Sequence, residues 1–278
     1  MNVPVGSAWC ARAARDAVVV TGRDARAFLQ SQLAQDVVSL APGASRWSLV
    51  LEPTGRVCAL VRVACHAEDR FTLDTDPGAG AAVLARLGRF RIRVECTLDA
   101  AAREVIAVRG LDAAERAALL ARPQAWPAWR ESDGAVDLCD LAGGAAVAPP
   151  VGLREAGPHD LERARILAAW PVVGAARDAD LGTDAIPAET GLVDVAVNFA
   201  KGCYPGQELV ERMDSRGARA PRSLRVVRGV DGARRGDPYA PDGEAVGVHA
   251  SVCGDVALVI VSRGAAHGPG VGSAQVRS

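Results

Sequence analysis

The sequence predicts an α+β fold, and three observations carry that prediction. Short apolar segments bounded by turn residues recur through the first hundred positions in the order β-β-β-α-β. Segments with apolar residues at helical spacing are interleaved with them. The last part of the chain alternates short strands with Gly, Pro and Asp turns. The first pattern builds an antiparallel sheet with helices on one face, and the last a small all-β piece, a barrel.

Taken in order, Asp16 to Val20 forms a strand and Thr21 to Asp24 a turn and helix cap. Ala25, Phe28, Leu29 and Leu33 then repeat at helical spacing. Trp47 to Leu51 and Val57 to Cys65 are partner strands around the tight turn Glu52-Pro53-Thr54-Gly55. His66 to Asp69 turns the chain into the strand Phe71 to Asp74. Val83, Leu84 and Leu87 mark a helix face, and Phe90 to Leu98 alternates as a strand. A second unit starts near Glu104, with a strand at 104–109, an Ala-rich helix at 112–121, and turns and short strands from Arg122 to Pro150. Asp160 to Trp170 is helical, and Pro171 ends it. Residues 174–191 read as loop, and Val193, Val195 and Val197 alternate like a strand. Strands follow at 223–230, 245–251 and 255–262. The expected division is 1–103, 104–221 and 222–278.

Composition narrows the function. The chain has 278 residues, 49% of them hydrophobic, which is enough to bury a core and excludes disorder, collagen and a disulfide mini-fold. A net charge of −1 speaks against generic adhesion to nucleic acid or membrane, and 4% aromatics against a stacking platform for single strands. Of 32 basic residues, Lys201 is the single lysine, which reflects either chance or a place where a compact, titratable ammonium is needed. Seven cysteines, an odd number without a C-x-x-C pair, argue against a disulfide framework, a zinc ribbon or an iron–sulfur cage. A reducing cytosol fits this cysteine usage, and the protein is expected to be soluble, cytoplasmic and without a metal site. The N-terminal segment lacks the apolar core of a signal peptide, and the longest apolar runs are far short of a membrane span.

Most motif-like features are weak. Gly78-Ala79-Gly80 follows a strand and opens a helix but lacks the third glycine of a dinucleotide loop. The four histidines are scattered. Residues 209–235 carry eight arginines against three acids, either a solvated face or a site for an anionic ligand or partner.

One segment is specific. In 198–217, Gly202 breaks the strand pattern, Pro205 suits a first helical position, and Leu209, Val210 and Met213 repeat as a buried helix face. Gly217 is a plausible helix end. Cys203 thus lies just ahead of a helix N-terminus, two residues after Lys201. A helix dipole and a nearby cation both favour a thiolate, so Cys203 is either a reactive cysteine or an inert one beside a structural turn.

Lys201-Gly202-Cys203-Tyr204-Pro205-Gly206-Gln207-Glu208 resembles the K-G-C-x-x-G-Q-E signature of the YgfZ family, folate-binding relatives of the glycine cleavage T-protein linked to iron–sulfur cluster biogenesis and tRNA modification. Phe28 to Val37 is similar to the family's F-L-Q-x-Q-x-x-x-D-V segment, Pro53 to Arg56 to its P-x-G-R hairpin, and Pro187 to Leu192 to its P-x-E-x-G-L segment. The resemblance runs from about residue 16 to 263.

It implies an aminomethyltransferase-like fold of two interleaved α+β units and a C-terminal β-barrel around a central cavity for tetrahydrofolate or a derivative. It implies that Glu189 faces the pterin, whose amino group and ring N–H suit a carboxylate. Tyr204, Gln207 and Glu208 join the folate-binding set, with Arg212 or Arg216 meeting the glutamyl carboxylates. Cys203 would be the functional thiol, Lys201 its activator, and iron–sulfur client or assembly proteins the partners. The T-protein hairpin carries paired Asp residues, whereas Thr54 to Ala59 here has no carboxylate at the matching positions. Aminomethyl cleavage is therefore not expected. The main expectation is a folate-binding accessory protein for iron–sulfur enzymes, including tRNA-modifying ones. A one-carbon transferase and a non-catalytic interaction module are the alternatives.

Overall fold

A hairpin buried on both faces organises the molecule. The computed structural model describes residues 8–140, 146–215 and 220–264. The chain begins with β1 (Trp9–Thr21), α1 (Ala25–Gln32), β2 (Ser45–Leu51), β3 (Val57–Ala67), β4 (Arg70–Thr75), α2 (Gly80–Gly88) and β5 (Thr97–Arg109). It continues through α3 (Ala113–Leu120), β6 (Ala125–Pro127), β7 (Val136–Leu138), β8 (Arg154–Glu155) and α4 (Pro158–Leu167). Three short helices follow, α5 (Pro187–Thr190), α6 (Val193–Ala196) and α7 (Gln207–Ser215), then β9 (Arg222–Arg228), β10 (Pro238–Tyr239), β11 (Gly247–Cys253) and β12 (Val256–Ser262).

The large sheet has the order β2-β3-β4-β1-β5-β7-β6, with β8 added parallel to β1. Its other pairings are antiparallel. A second, four-stranded antiparallel sheet has the order β10-β11-β12-β9. Alternation explains the near-continuous apolar run of the β2–β3 hairpin. Val50, Ala59, Val61 and Val63 face a core shared with Phe28, Leu29 and Leu33 of the α1 segment and Val83 and Leu87 of α2. Leu49, Leu51, Val57 and Leu60 face a second core with Trp170, Leu181, Leu192, Tyr204 and Val210. Leu181, Ala185, Leu192, Ala196, Tyr204 and Val210, all C-terminal of Trp170, are built against this second face.

A cluster of buried charge crosses the large sheet. Arg62 lies inside the sheet and donates to Asp74 at 2.6 Å, to Asp137 at 3.0 Å and to the Pro127 carbonyl at 3.0 Å. Arg15 and Arg109 complete the pairing with Asp74 and Asp137. This network ties β1, β3, β4, β5 and β7 together.

Three local expectations are corrected. Residues 90–96 are not a strand; Arg93 has φ +56° and Ile92 is 73% exposed, so their alternation has no face to bury, and β5 starts only at Thr97. From there β5 runs unbroken through Glu104. Residues 187–190, within the stretch expected to be loop, form the single turn α5, with Pro187 at its start and the Glu189 carboxylate accepting the Ile186 N–H. Val193 to Ala196 is one helical turn rather than a strand; the buried residues are Leu192, Ala196 and Val197, at spacings of four and five.

Candidate functional site

The segments that carry the sequence motifs meet on the second face of the hairpin. The Asn198 N–H donates to the Ala34 carbonyl at 2.9 Å, and Gln35 Nε2 to the Val195 carbonyl at 3.3 Å. The Val57 N–H donates to the Ala185 carbonyl at 2.9 Å, and the Arg56 guanidinium to that of Asp184. Gly206 sits on the turn 52–55. It has φ +84°, and a Cβ there would lie 2.8 Å from the Glu52 carbonyl oxygen and 2.9 Å from Gly55 Cα. Gly55 in turn meets Leu209 of α7 so closely that its own Cβ would fall 2.6 Å from the Leu209 Cβ. These two contacts explain why glycine is needed in both motifs.

Cys203 stands at the crest of this junction. It is exposed, whereas the other six cysteines are buried, and all seven are free thiols. It lies on an arch ahead of α7, close to where the sequence places it. Lys201 points inward. Its Nζ donates to the carbonyls of Gln30 and Leu33 at 2.5 Å each and lies 5.1 Å from the centre of the Tyr204 ring. Burial pushes the Lys201 ammonium down to about 8, against the pull of Asp36.

Tyr204 packs into the second core, its hydroxyl buried without a partner, and burial with Glu211 nearby pushes it up to about 12. Gln207 accepts from the Tyr204 N–H at 3.3 Å and donates to Glu211. Glu208 and Arg212 pair with each other at 2.6 Å on the exposed side of α7. Arg216 lies outside the described residues. The motif thus splits: Lys201 and Tyr204 face inward together, Cys203 faces out, and Glu208 with Arg212 forms a separate surface pair.

Glu189 is 4% exposed and belongs to a different wall. Arg222 holds it bidentately, Nε to Oε1 and Nη2 to Oε2, both at 2.8 Å, and reaches Asp184 at 2.9 Å through its remaining nitrogen. Nothing local in the sequence couples Glu189 to Arg222; they meet because α5 packs on β9. Beside the pair opens an apolar groove of about 290 Å³ between α5, α6 and α7, lined by Ile186, Pro187, Val193, Phe199, Leu209 and Met213. Arg222 also borders a wider cavity of about 730 Å³ beside β11 and β12. The sequence alone singled out neither Phe199 nor Arg222. The one available signal for Phe199 was a large apolar residue next to the Lys201 motif, and it is 44% exposed.

Two titratable groups near the turn of the hairpin are Cys58 and Glu52. Cys58 is buried, and burial with Glu52 nearby pushes its thiol up to about 11. Glu52 is engaged by Arg89 at 2.6 Å. Among the described residues no three His, Cys, Asp or Glu side chains are grouped as a metal site requires. None of the described helices is long and apolar enough to cross a membrane.

No protein-family model matches the chain. An uncharacterized protein of Haemophilus influenzae is 25% identical over 213 residues, covering 72% of this chain and 66% of that relative. The match therefore spans just under two thirds of the relative's length. Among solved structures, the glycine cleavage system aminomethyltransferase T of Bartonella henselae is similar with a TM-score of 0.68 and 20% identity, over 92% of this chain and 79% of that one. The mixed α and β architecture described above is thus the fold of that aminomethyltransferase.

Proposed function

We propose that this protein binds a folate and serves as an accessory factor for iron–sulfur enzymes, with Cys203 as its functional thiol. The observation that carries the reading is the convergence of motif-bearing segments on a T-protein-like fold, with a single exposed cysteine in the segment between Phe199 and Leu209, two residues that line an apolar groove. The YgfZ-like motif supplies the functional class. An accessible thiol on an anchored arch suits contact with, or exchange with, a client.

The groove supports the folate part. A space of about 290 Å³ walled by Val193, Leu209 and the Phe199 ring accepts a flat heterocycle between apolar surfaces. Glu189 stands behind that wall. For its carboxylate to take the adjacent donors of a pterin, Arg222 must turn from it toward Asp184, which it already touches. Bound tetrahydrofolate would supply one-carbon or redox chemistry; this chain supplies the groove, the carboxylate and the thiol.

A one-carbon transferase is the second reading, favoured by the fold alone. The hairpin opposes it, because the Cys58 thiol stays protonated at neutral pH and offers no base. No methylene-tetrahydrofolate should form from an aminomethyl donor.

The test is anaerobic calorimetric titration with tetrahydrofolate on the wild type, Glu189→Gln and Cys203→Ser, paired with complementation of a deletion strain by Cys203→Ala. Binding that persists in Cys203→Ser and weakens in Glu189→Gln, with failed complementation, supports the reading. Absence of binding to the wild type removes folate and leaves an interaction module. Full complementation by Cys203→Ala removes the thiol.

A further inference from the structure

The chain uses arginine wherever it needs a cation, with one exception. Lys201 is the only lysine among 32 basic residues, and its surroundings explain why. Helix α1 ends with no basic residue in its last turn. A helix C-terminus leaves carbonyls without partners and carries partial negative charge. Lys201 supplies the missing cation from far along the chain. Both of its hydrogen bonds, to the Gln30 and Leu33 carbonyls at 2.5 Å, converge on one nitrogen. An ammonium sets three donors around a single atom, whereas a guanidinium spreads five across a rigid plane on a longer reach. No carboxylate takes part. Asp36, the acid whose field reaches Lys201, is occupied by Ser39 and Arg46.

We propose that Lys201 is a positioning residue that latches the Cys203 arch onto the C-terminus of α1. The arch then has two supports: Lys201 on α1, and Gly206 on the turn 52–55. Gly202 and Cys203 are held out in solvent between them while Tyr204 is drawn into the core. Lys201 thus acts through geometry, with its charge spent on helix carbonyls. The consequence for a client rests on the reading of Cys203 as the functional thiol; the latch itself is tested without that reading.

The single lysine makes the test direct. Selective ¹⁵N-lysine labelling of the full chain gives one side-chain signal. In the wild type near neutral pH it should be a hydrogen-bonded ammonium that exchanges its protons with water at least about tenfold more slowly than free lysine does. Replacement tests the geometry. In Lys201→Met and in Lys201→Arg, amide exchange at Leu33 and Asn198 should quicken about tenfold, and a spin label on Cys203 should gain a fast-motion component. Far-UV circular dichroism checks that each variant is folded. Either of two results overturns the latch: a wild-type ammonium that exchanges like free lysine, or wild-type arch order in folded Lys201→Arg. Should neither variant fold, the wild-type lysine signal decides alone. Failure of the thiol reading, seen as complementation by Cys203→Ala, leaves these readouts untouched.

Discussion

Replacing Gly206 with alanine places a methyl group where backbone already stands. Gly206 has φ +84°, and the new Cβ would lie 2.8 Å from the Glu52 carbonyl oxygen and 2.9 Å from Gly55 Cα. Neither neighbour is a side-chain tip that could swing aside, so the turn 52–55 or the arch must move. The left-handed conformation costs an L-residue about 1–2 kcal/mol, and overpacking typically adds about 1–3 kcal/mol. The expected loss is therefore about 2–5 kcal/mol, read as a lower urea midpoint at unchanged denaturant slope. Gly202→Ala is the internal control: it lies on the same arch with an ordinary φ, and its Cβ would meet nothing within 4 Å. That change should stay within about 0.5 kcal/mol of the wild type. If the two variants unfold at the same urea concentration, the close seat of the arch on the hairpin is wrong.

The remaining predictions concern thiols, an ion pair and pH. A chromogenic disulfide reagent should titrate one thiol in the native protein and seven after unfolding, because only Cys203 is exposed; two or more fast native thiols would contradict the burial. Glu189→Gln should cost about 1–3 kcal/mol by urea unfolding, since Arg222 keeps Asp184. Arg222→Met should cost more, because it strands a buried carboxylate; the reverse order would refute the pairing. His66 is held down to about 4 by burial and by Arg70. The unfolded chain therefore binds more protons between about pH 4 and 6.5, so this group makes stability fall as pH drops through that window. His66→Gln should flatten that slope in a series of unfolding measurements across pH.

What the sequence reveals depends on how local the cause is. The β2–β3 hairpin is legible because Pro53, Thr54 and Gly55 make the turn and both flanks are apolar on alternate faces. The helix α3 is legible because its segment is rich in alanine, and the structure adds a reciprocal cap from Asp112 and Glu115. The one-turn helices α5 and α6 are not, since each is decided by a cap or by packing on distant strands, and Val193, Val195 and Val197 mimic a strand period. In the site, the motif singles out Cys203 and Lys201 but leaves their directions open. Lys201 turns away from solvent because the carbonyls at the end of α1 await it, and Tyr204 fills the core. Glu189 finds Arg222 only through the contact of α5 with β9, which no spacing encodes.

The central position of β1 has a consequence in time. This strand is made before its partners, yet it pairs with β4, with β5 as far as Arg109, and with Arg154 and Glu155 of β8. Its hydrogen-bonding edges therefore wait for chain that is made much later. At about 5–20 residues per second, completing its last partner takes on the order of ten seconds after β1 emerges. During that interval a strand with open edges is exposed to other nascent chains, so folding during synthesis depends on shielding of β1. A slower ribosome lengthens that interval and should lower the yield of soluble protein at unchanged native stability.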